Sequence, residues 1–523
     1  MCLEDRNPPL RLFRSTVIVI FFSGLNIAAS FLAQILLASY FGTRQQMDVY
    51  ITASAVPTLI NAVLLGSLNV TLVPVFIEYR VRASRKQAWN IASSVLNLTV
   101  LILIILGVGA VALSGQIAHL IAPGYDQAAL MLTSHLLQIM LPNIVFSGTA
   151  GLLAGLCYAH QQFVLPSVAP VVNSLTIFIS TLVFADRFGI QAVAMGTLAG
   201  GIAQCLLYLP WFIRQRGYTF RLDLKNEGVQ RIIQLTWPLI SASIIFRANI
   251  LIDRIIASTL PEGSVSYLGY AYKIITILLA ISTQGVSVSI FPLLSQYAAS
   301  QDMDRLKQAF LQGIRLATLI VMPLSAVLMA LRVPAIQVAF ERGEFNPADT
   351  QSIARTLTPY LVTLVLMGIA SILSQGYYVF QDTRTLAKVG IIQIIAYIIY
   401  SYLLAKAYSY VGIAVATCFL YGLSILIHMR FLNIKFGTFN FRQISMSLIQ
   451  ILAASIISGL IAWLLRIILS DALPFIMLSV ASLVAAGGYW ITIRYAFKVE
   501  ESMQVDKILR QKLSELLGSQ AGR

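Results

Sequence analysis

Four ionisable residues stand where an ionisable residue is expensive. Arg247, Asp253, Arg254 and Lys273 fall within long apolar stretches, and a charge near the middle of a bilayer costs roughly 2.5–3.5 kcal/mol on insertion scales. Arg247 and Arg254 are two helical turns apart and therefore share a helix face. Lys273 enters the next apolar stretch at the same end of the membrane as Arg254. Three cations converging from adjacent helices would hold a dianionic or larger phosphate group, since guanidinium forks take phosphate oxygens bidentately. Asp253 could neutralise one of them while the site is empty. The competing reading is structural: Arg254 and Lys273 snorkel to headgroups, and Arg247 pairs with a polar neighbour.

Uncharged polar residues extend the candidate site. Asn61, Asn69, Asn143 and Asn173 lie in apolar stretches and could contact a sugar or an amide, although each could equally be an interhelical hydrogen bond. Asp48 opens the second stretch, where a carboxylate suits a helix N-terminus, so capping competes with ligand binding. Glu78 beside Arg80 reads as a surface ion pair.

Enzyme chemistry finds little support. His119, His135, His160 and His428 are dispersed without metal-ligand spacing, and no paired carboxylates sit at a membrane face. The glycine-rich run 196–201 lacks a following Lys-Ser/Thr and reads as helix packing rather than a phosphate loop. With no metal site and no nucleotide site, the expectation is a non-enzyme without a cofactor, driven by the membrane potential or an ion gradient. One acidic outer cluster, Glu341, Glu344 and Asp349, is what a membrane glycosyltransferase would have to use.

The elements that position these residues are membrane spans. Of 523 residues, 58% are hydrophobic and 11% charged, against about 25% charged in soluble domains. Fourteen windows of about 20 or more mostly apolar residues follow one another, from 15–39 to 473–497. The fold class is thus an all-α polytopic membrane protein. The net charge of +15 is topological rather than a sign of nucleic-acid binding: Lys and Arg crowd alternate loops, all on the side of the termini. Both termini are therefore expected in the cytoplasm and the chain in the inner membrane.

A repeat relates the first six spans to the next six. Ala38-Ser39, Tyr50, Pro74 and Tyr79 align with Ala257-Ser258, Tyr267, Pro292 and Tyr297, and Pro142, Gly148 and Gly155 align with Pro359, Gly368 and Gly376. Copies separated by six spans keep one orientation, which implies two pseudo-symmetric six-helix lobes about an axis along the membrane normal. The expected division is an N-tail 1–14, an N-lobe 15–213, a linker 214–235, a C-lobe 236–431, two additional spans within 445–497, and a tail 498–523. That tail has apolar residues at helical spacing and could dock cell-envelope synthesis proteins.

Residues 12–500 resemble the MurJ (MviN) lipid II flippase family of the MOP exporter superfamily. The resemblance is carried by 41-FGTRQQMDVYITASAVPTLI-60, 72-LVPVFIEY-79, 263-GSVSYLGYAYKI-274 and 291-FPLLSQY-297. It implies a two-lobe transporter with a cationic cavity, alternating access, a lipid-linked saccharide as substrate, and two last helices that form a groove for the lipid tail. Asp48 and Lys273 match charged positions of the family. Its cavity arginines in the first two spans are replaced by Ile27, Ala33 and Asn61, Gln34 stands for an acid, and Leu65 for a glutamate. The cationic grip is therefore expected in the second lobe, with either lipid II or another undecaprenyl-linked saccharide as cargo. A related drug or ion antiporter and a non-transporting scaffold are the remaining alternatives.

Overall fold

The computed structural model describes residues 8–380, 382–436 and 441–497. The expected tail from residue 498 lies outside the described residues, as do residues 1–7 of the expected N-tail. Among the described residues there is no strand.

Twelve segments are long and apolar enough to cross a membrane. The expected fourteen crossings are recovered when two further features are counted. One is a helix pair, α9 (Glu227–Arg247) and α10 (Asn249–Ala257), separated by a turn at Ala248. The other is α15 (Thr383–Phe436), which holds two crossings, because Ser409 at φ 54° and ψ −141° breaks the helical path.

The first crossings are α1 (Pro8–Phe41), α2 (Gln45–Arg82) and α3 (Arg85–Ala112). A short α4 (Ser114–Ile121) leads to the fourth crossing, α5 (Gln127–Met140) and α6 (Asn143–Ala159), interrupted at Leu141-Pro142 because proline cannot continue the hydrogen-bond ladder. Then come α7 (Val164–Phe188) and α8 (Gln191–Arg214). Asp126 caps α5 through Ala129 N at 2.9 Å, and Ser84 caps α3 through Gln87 N at 3.2 Å.

In the second half, the crossing expected as one run over 266–297 is two helices, α11 (Ser264–Ser282) and α12 (Gln284–Ala299), broken at Thr283. Its repeat partner α2 is continuous in spite of Pro57 and Pro74. The remaining helices are α13 (Met303–Phe340), α14 (Pro347–Val379), α16 (Phe441–Ile468) and α17 (Pro474–Ile491), with a π-helical turn Thr492–Ala496.

Packing divides the described residues into two compact units: 8–266 with 342–346, and 267–341 with those from 347 to 497. The C-lobe was expected to start at 236, but α9 and α10 pack in the first unit. Their contact with α2 explains this: Thr71 and Thr236 hydroxyls hydrogen-bond at 2.7 Å, and Ser67 and Ser243 lie at 3.4 Å.

The first unit's core surrounds Phe76 and Trp89, whose rings meet edge-on at 5.7 Å, together with Leu72, Leu152, Leu156 and Tyr208. Three glycines of α8 are contact points. A β-carbon at Gly196, Gly200 or Gly201 would overlap Ser180, Asn173 Oδ1 or Asn143 Oδ1. The run 196–201 is therefore helix packing, with asparagine oxygens laid over glycine Cα–H groups.

In the second unit, Phe310, Ile314, Ile372 and Leu432 are buried beside Tyr377, which stacks on Phe431 at 4.0 Å. The repeat glycines keep their close-contact role in both halves: Gly155 receives Asn69, and Gly376 receives Leu432. Small residues seat the last two helices. Ala462 packs beside Ala481 and Ala485, and Ser458 donates to Ala485 O at 2.8 Å.

Candidate functional site

Asp48 is 3% exposed. Its carboxyl group accepts hydrogen bonds from Gly263 N and Ser266 N, each at 2.7 Å, and from the Ser266 hydroxyl. Gly263 and Ser266 flank the first turn of α11, so Asp48 satisfies backbone N–H groups that a helix start leaves without partners. It caps a second helix rather than its own. The service is returned, since Glu262 Oε1 accepts Gln45 N, the first amide of α2, at 2.7 Å. The starts of two repeat-related helices thus cap one another.

Neighbouring groups reinforce this clamp. Gln45 Nε2 donates to Asp126 at 3.2 Å, and the Tyr125 and Thr52 hydroxyls lie 3.0 Å apart. Arg44 forms an ion pair with Glu344, and Glu344 N donates to Ser39 O at 2.9 Å. Gly42 (φ 55°) and Gly343 (φ 60°) make that approach possible: both have left-handed backbones, and a β-carbon on either would run into the opposite chain, Glu344 O or Ser39 O. Burial, with the charge of Asp48 behind it, pushes the Tyr125 hydroxyl above its ordinary range, so it remains a neutral hydrogen-bonding group.

The expected cations are distributed as follows. Arg247 ends α9 and is exposed, with no hydrogen bond or ion pair among the described residues. Arg254 is half-buried on α10, where Nη1 reaches Val265 O at 3.5 Å and Nε is buried without a partner. Asp253 is half-buried beside it. Lys273 belongs to the second unit; it is half-buried on α11, and its amino group meets no carboxylate among the described residues. Arg254 is thus committed in part to the connection between α10 and α11, while Arg247 and Lys273 carry unneutralised charge.

Asn61 donates to Ser147 Oγ at 2.7 Å, and Asn69 donates to Gly151 O at 3.2 Å. Both are interhelical ties between α2 and α6. The acidic cluster that an enzyme would require is also engaged: Glu341 accepts from Thr350 Oγ1 at 2.5 Å, and Glu344 holds Arg44. Among the described residues no three His, Cys, Asp or Glu side chains gather as metal ligands.

The sequence reading missed Glu262, the Arg44–Glu344 pair and an apolar groove in the second unit. The signal for Glu262 was available, because Gln45 and Glu262 stand 217 residues apart, the offset of the repeat itself. The groove has a volume of about 480 Å³ and is lined by Gly285, Leu293 and Ser289 of α12, Leu316 and Ile320 of α13, and Trp490 of α17. Tyr489 closes it by donating its hydroxyl to Leu319 O at 2.8 Å.

The comparisons with known proteins agree on the fold. A family model described as "Lipid II flippase MurJ" matches residues 37–482. A "Probable lipid II flippase MurJ" of Vibrio cholerae is 27% identical over 469 residues, covering 87% of this chain and 89% of that protein. The "Lipid II flippase MurJ" of Burkholderia cenocepacia is 25% identical over 393 residues, covering 73% and 76%. A solved structure, "Lipid II flippase MurJ, inward closed conformation", superposes with a TM-score of 0.80 at 22% identity over 92% of this chain and 99% of its own. An inward-facing MATE multidrug transporter of the MOP superfamily gives 0.68 at 16% identity over 80% of this chain and 100% of its own. With a family match over most of its length, a MOP transporter fold and the two last helices in place, the chain belongs to the lipid II flippase MurJ family, a family of transporters rather than enzymes.

Proposed function

We propose that this protein moves an undecaprenyl-pyrophosphate-linked saccharide, lipid II in the first instance, from the inner to the outer leaflet of the inner membrane, with both termini in the cytoplasm. The observation that carries the reading is the groove of about 480 Å³ between α12, α13 and α17. It is built with one of the two helices that follow the twelve repeat spans, and an apolar trough of this kind suits a long prenyl chain while the polar head travels inside the protein. Arg247 of the first unit carries unneutralised charge suited to the pyrophosphate, and Lys273 of the second unit is a separate candidate for the same group.

Mutual capping by Asp48 and Glu262 holds the starts of α2 and α11 together within the first unit. The membrane potential assists transport, because an anion leaving a negative interior gains about 2.3 kcal/mol per charge per 100 mV.

A second cargo, an exopolysaccharide or O-antigen unit on the same lipid, is favoured by one observation. Asn61, which stands where the family carries an arginine, is tied to Ser147 and brings no charge. Binding to purified protein separates the parts of this reading. Native mass spectrometry with lipid II is expected to give a complex that Arg247→Ala and Lys273→Ala each weaken at least tenfold. A complex indifferent to both substitutions contradicts the pyrophosphate assignment. No complex with lipid II, but one with a lipid-linked polysaccharide unit, moves the cargo to the second class.

A further inference from the structure

The linker between α8 and α9 is an extended strap laid along α3. Arg85 Nη2 donates to Gln215 O at 2.9 Å. Thr219 N donates to Ser93 Oγ at 3.1 Å, Asp223 N donates to Ser94 Oγ at 3.3 Å, and Asn97 Nδ2 donates to Arg221 O at 2.9 Å. The Tyr218 hydroxyl adds a bond to Asn97 Oδ1 at 2.8 Å. At its start the strap presses on the core, where Gly217 lies against the Trp89 ring so closely that a β-carbon would overlap it.

Depth along α3 shows why side chains supply these bonds. That helix has 28 residues and is about 42 Å long, against a hydrocarbon layer of about 30 Å. Ser93 to Asn97 lie roughly 12–18 Å from its start, so with the helix's excess length at this end the hydrocarbon begins beside Ser93. An extended backbone at that level cannot rely on water, so its N–H and C=O groups need protein partners, and Ser93, Ser94 and Asn97 provide them.

The strap's other edge alternates with period two. Phe220, Leu222 and Leu224 point away from α3 and are 92%, 49% and 45% exposed. Arg214, Arg216 and Lys225 flank this row, are exposed, and pair with no carboxylate among the described residues, whereas Arg221 is occupied by Asp223 at 2.9 Å. An apolar row with an aromatic residue, bordered by unneutralised cations at the hydrocarbon edge, has the composition of an interfacial anchor.

We propose that residues 214–225 are a docking site for anionic phospholipids of the leaflet on that face. Phe220, Leu222 and Leu224 enter the boundary between acyl chains and headgroups, and Arg214, Arg216 and Lys225 hold the lipid phosphates. The strap fastens the connection between α8 and α9 to the membrane surface, independently of which cargo crosses the protein.

The test uses the full chain purified in detergent, titrated with phosphatidylglycerol or phosphatidylcholine and read by native mass spectrometry. Wild-type protein retains phosphatidylglycerol preferentially. The Arg214→Gln, Arg216→Gln, Lys225→Gln triple variant is expected to lose at least tenfold in phosphatidylglycerol affinity, with phosphatidylcholine unchanged. Phe220→Ser lowers retention of both lipids alike. Lys225→Gln alone, about fivefold weaker, serves if the triple variant does not insert. Unchanged phosphatidylglycerol retention in these variants overturns the proposal, as does an equal loss when Arg187, Arg355 and Lys406 at the other membrane face are neutralised instead.

Discussion

Replacing Asp48 with asparagine keeps the side-chain volume and removes one of two acceptor oxygens. The carboxyl group takes two backbone N–H bonds and one hydroxyl bond within a buried turn. An asparagine can serve only part of this set, and its NH2 then faces Gly263 N–H or Ser266 N–H. A buried donor left without an acceptor costs about 1–3 kcal/mol, and loss of the negative end at a helix N-terminus adds about 0.3–1 kcal/mol or more. The total is about 1.3–4 kcal/mol, a roughly 10- to 700-fold change in a local opening equilibrium at about 1.4 kcal/mol per tenfold. Hydrogen exchange of the peptide spanning 260–267, followed by mass spectrometry on purified protein, reads this opening directly. Ser266→Ala removes only the hydroxyl bond and is expected to accelerate exchange less than about tenfold. Exchange at wild-type rates in Asp48→Asn, or a larger effect from Ser266→Ala than from Asp48→Asn, refutes the clamp.

Three further outcomes follow from packing and burial. Gly201→Ala drives a methyl group into Asn143 Oδ1 and is expected to cost about 1–3 kcal/mol, seen as a lower melting temperature; Gly66→Ala, with nothing within 4 Å, leaves it unchanged or higher. Gly285→Trp occupies the groove from a position that also has open space around it; prenyl-lipid binding falls at least tenfold while the melting temperature holds, and unimpaired binding removes the groove from the account. His160 sits where burial, the main cause, with Arg80 and Arg85 nearby, pulls its ring below the ordinary value of 6.5. The folded protein therefore favours the neutral ring, and this contribution is present above pH 6.5 and lost as the pH falls below it. His160→Phe is expected to flatten that part of the stability profile, and a profile identical to wild type contradicts the assignment.

Much of the architecture was legible because it is periodic. Span number follows from apolar length, and the packing role of Gly200 and Gly201 follows from small residues in an apolar helix that lacks phosphate-loop chemistry. What escaped depends on contacts between residues far apart in sequence. Asp48 could be read as a cap, but only the fold shows that the capped helix starts at Ser264. Asn61 has the same composition signature whether it faces a sugar or Ser147. The break at Thr283 carries no proline; its only local cue is the polar run Ser282-Thr283-Gln284-Gly285 within an otherwise apolar stretch. Arg254 was grouped with Arg247 by helical spacing, yet one side chain bonds Val265 O and the other has no partner among the described residues. The groove is assembled from α12, α13 and α17, which no single stretch of sequence brings together.

The central claim, transport of lipid II, is tested most directly by expressing this gene in cells depleted of their own lipid II flippase and measuring lipid II in the outer leaflet with an impermeant lipid II-cleaving enzyme. The account predicts restored growth and restored cleavage with the wild-type chain, and loss of both with Arg247→Ala at equal expression. Well-expressed protein that restores neither contradicts it.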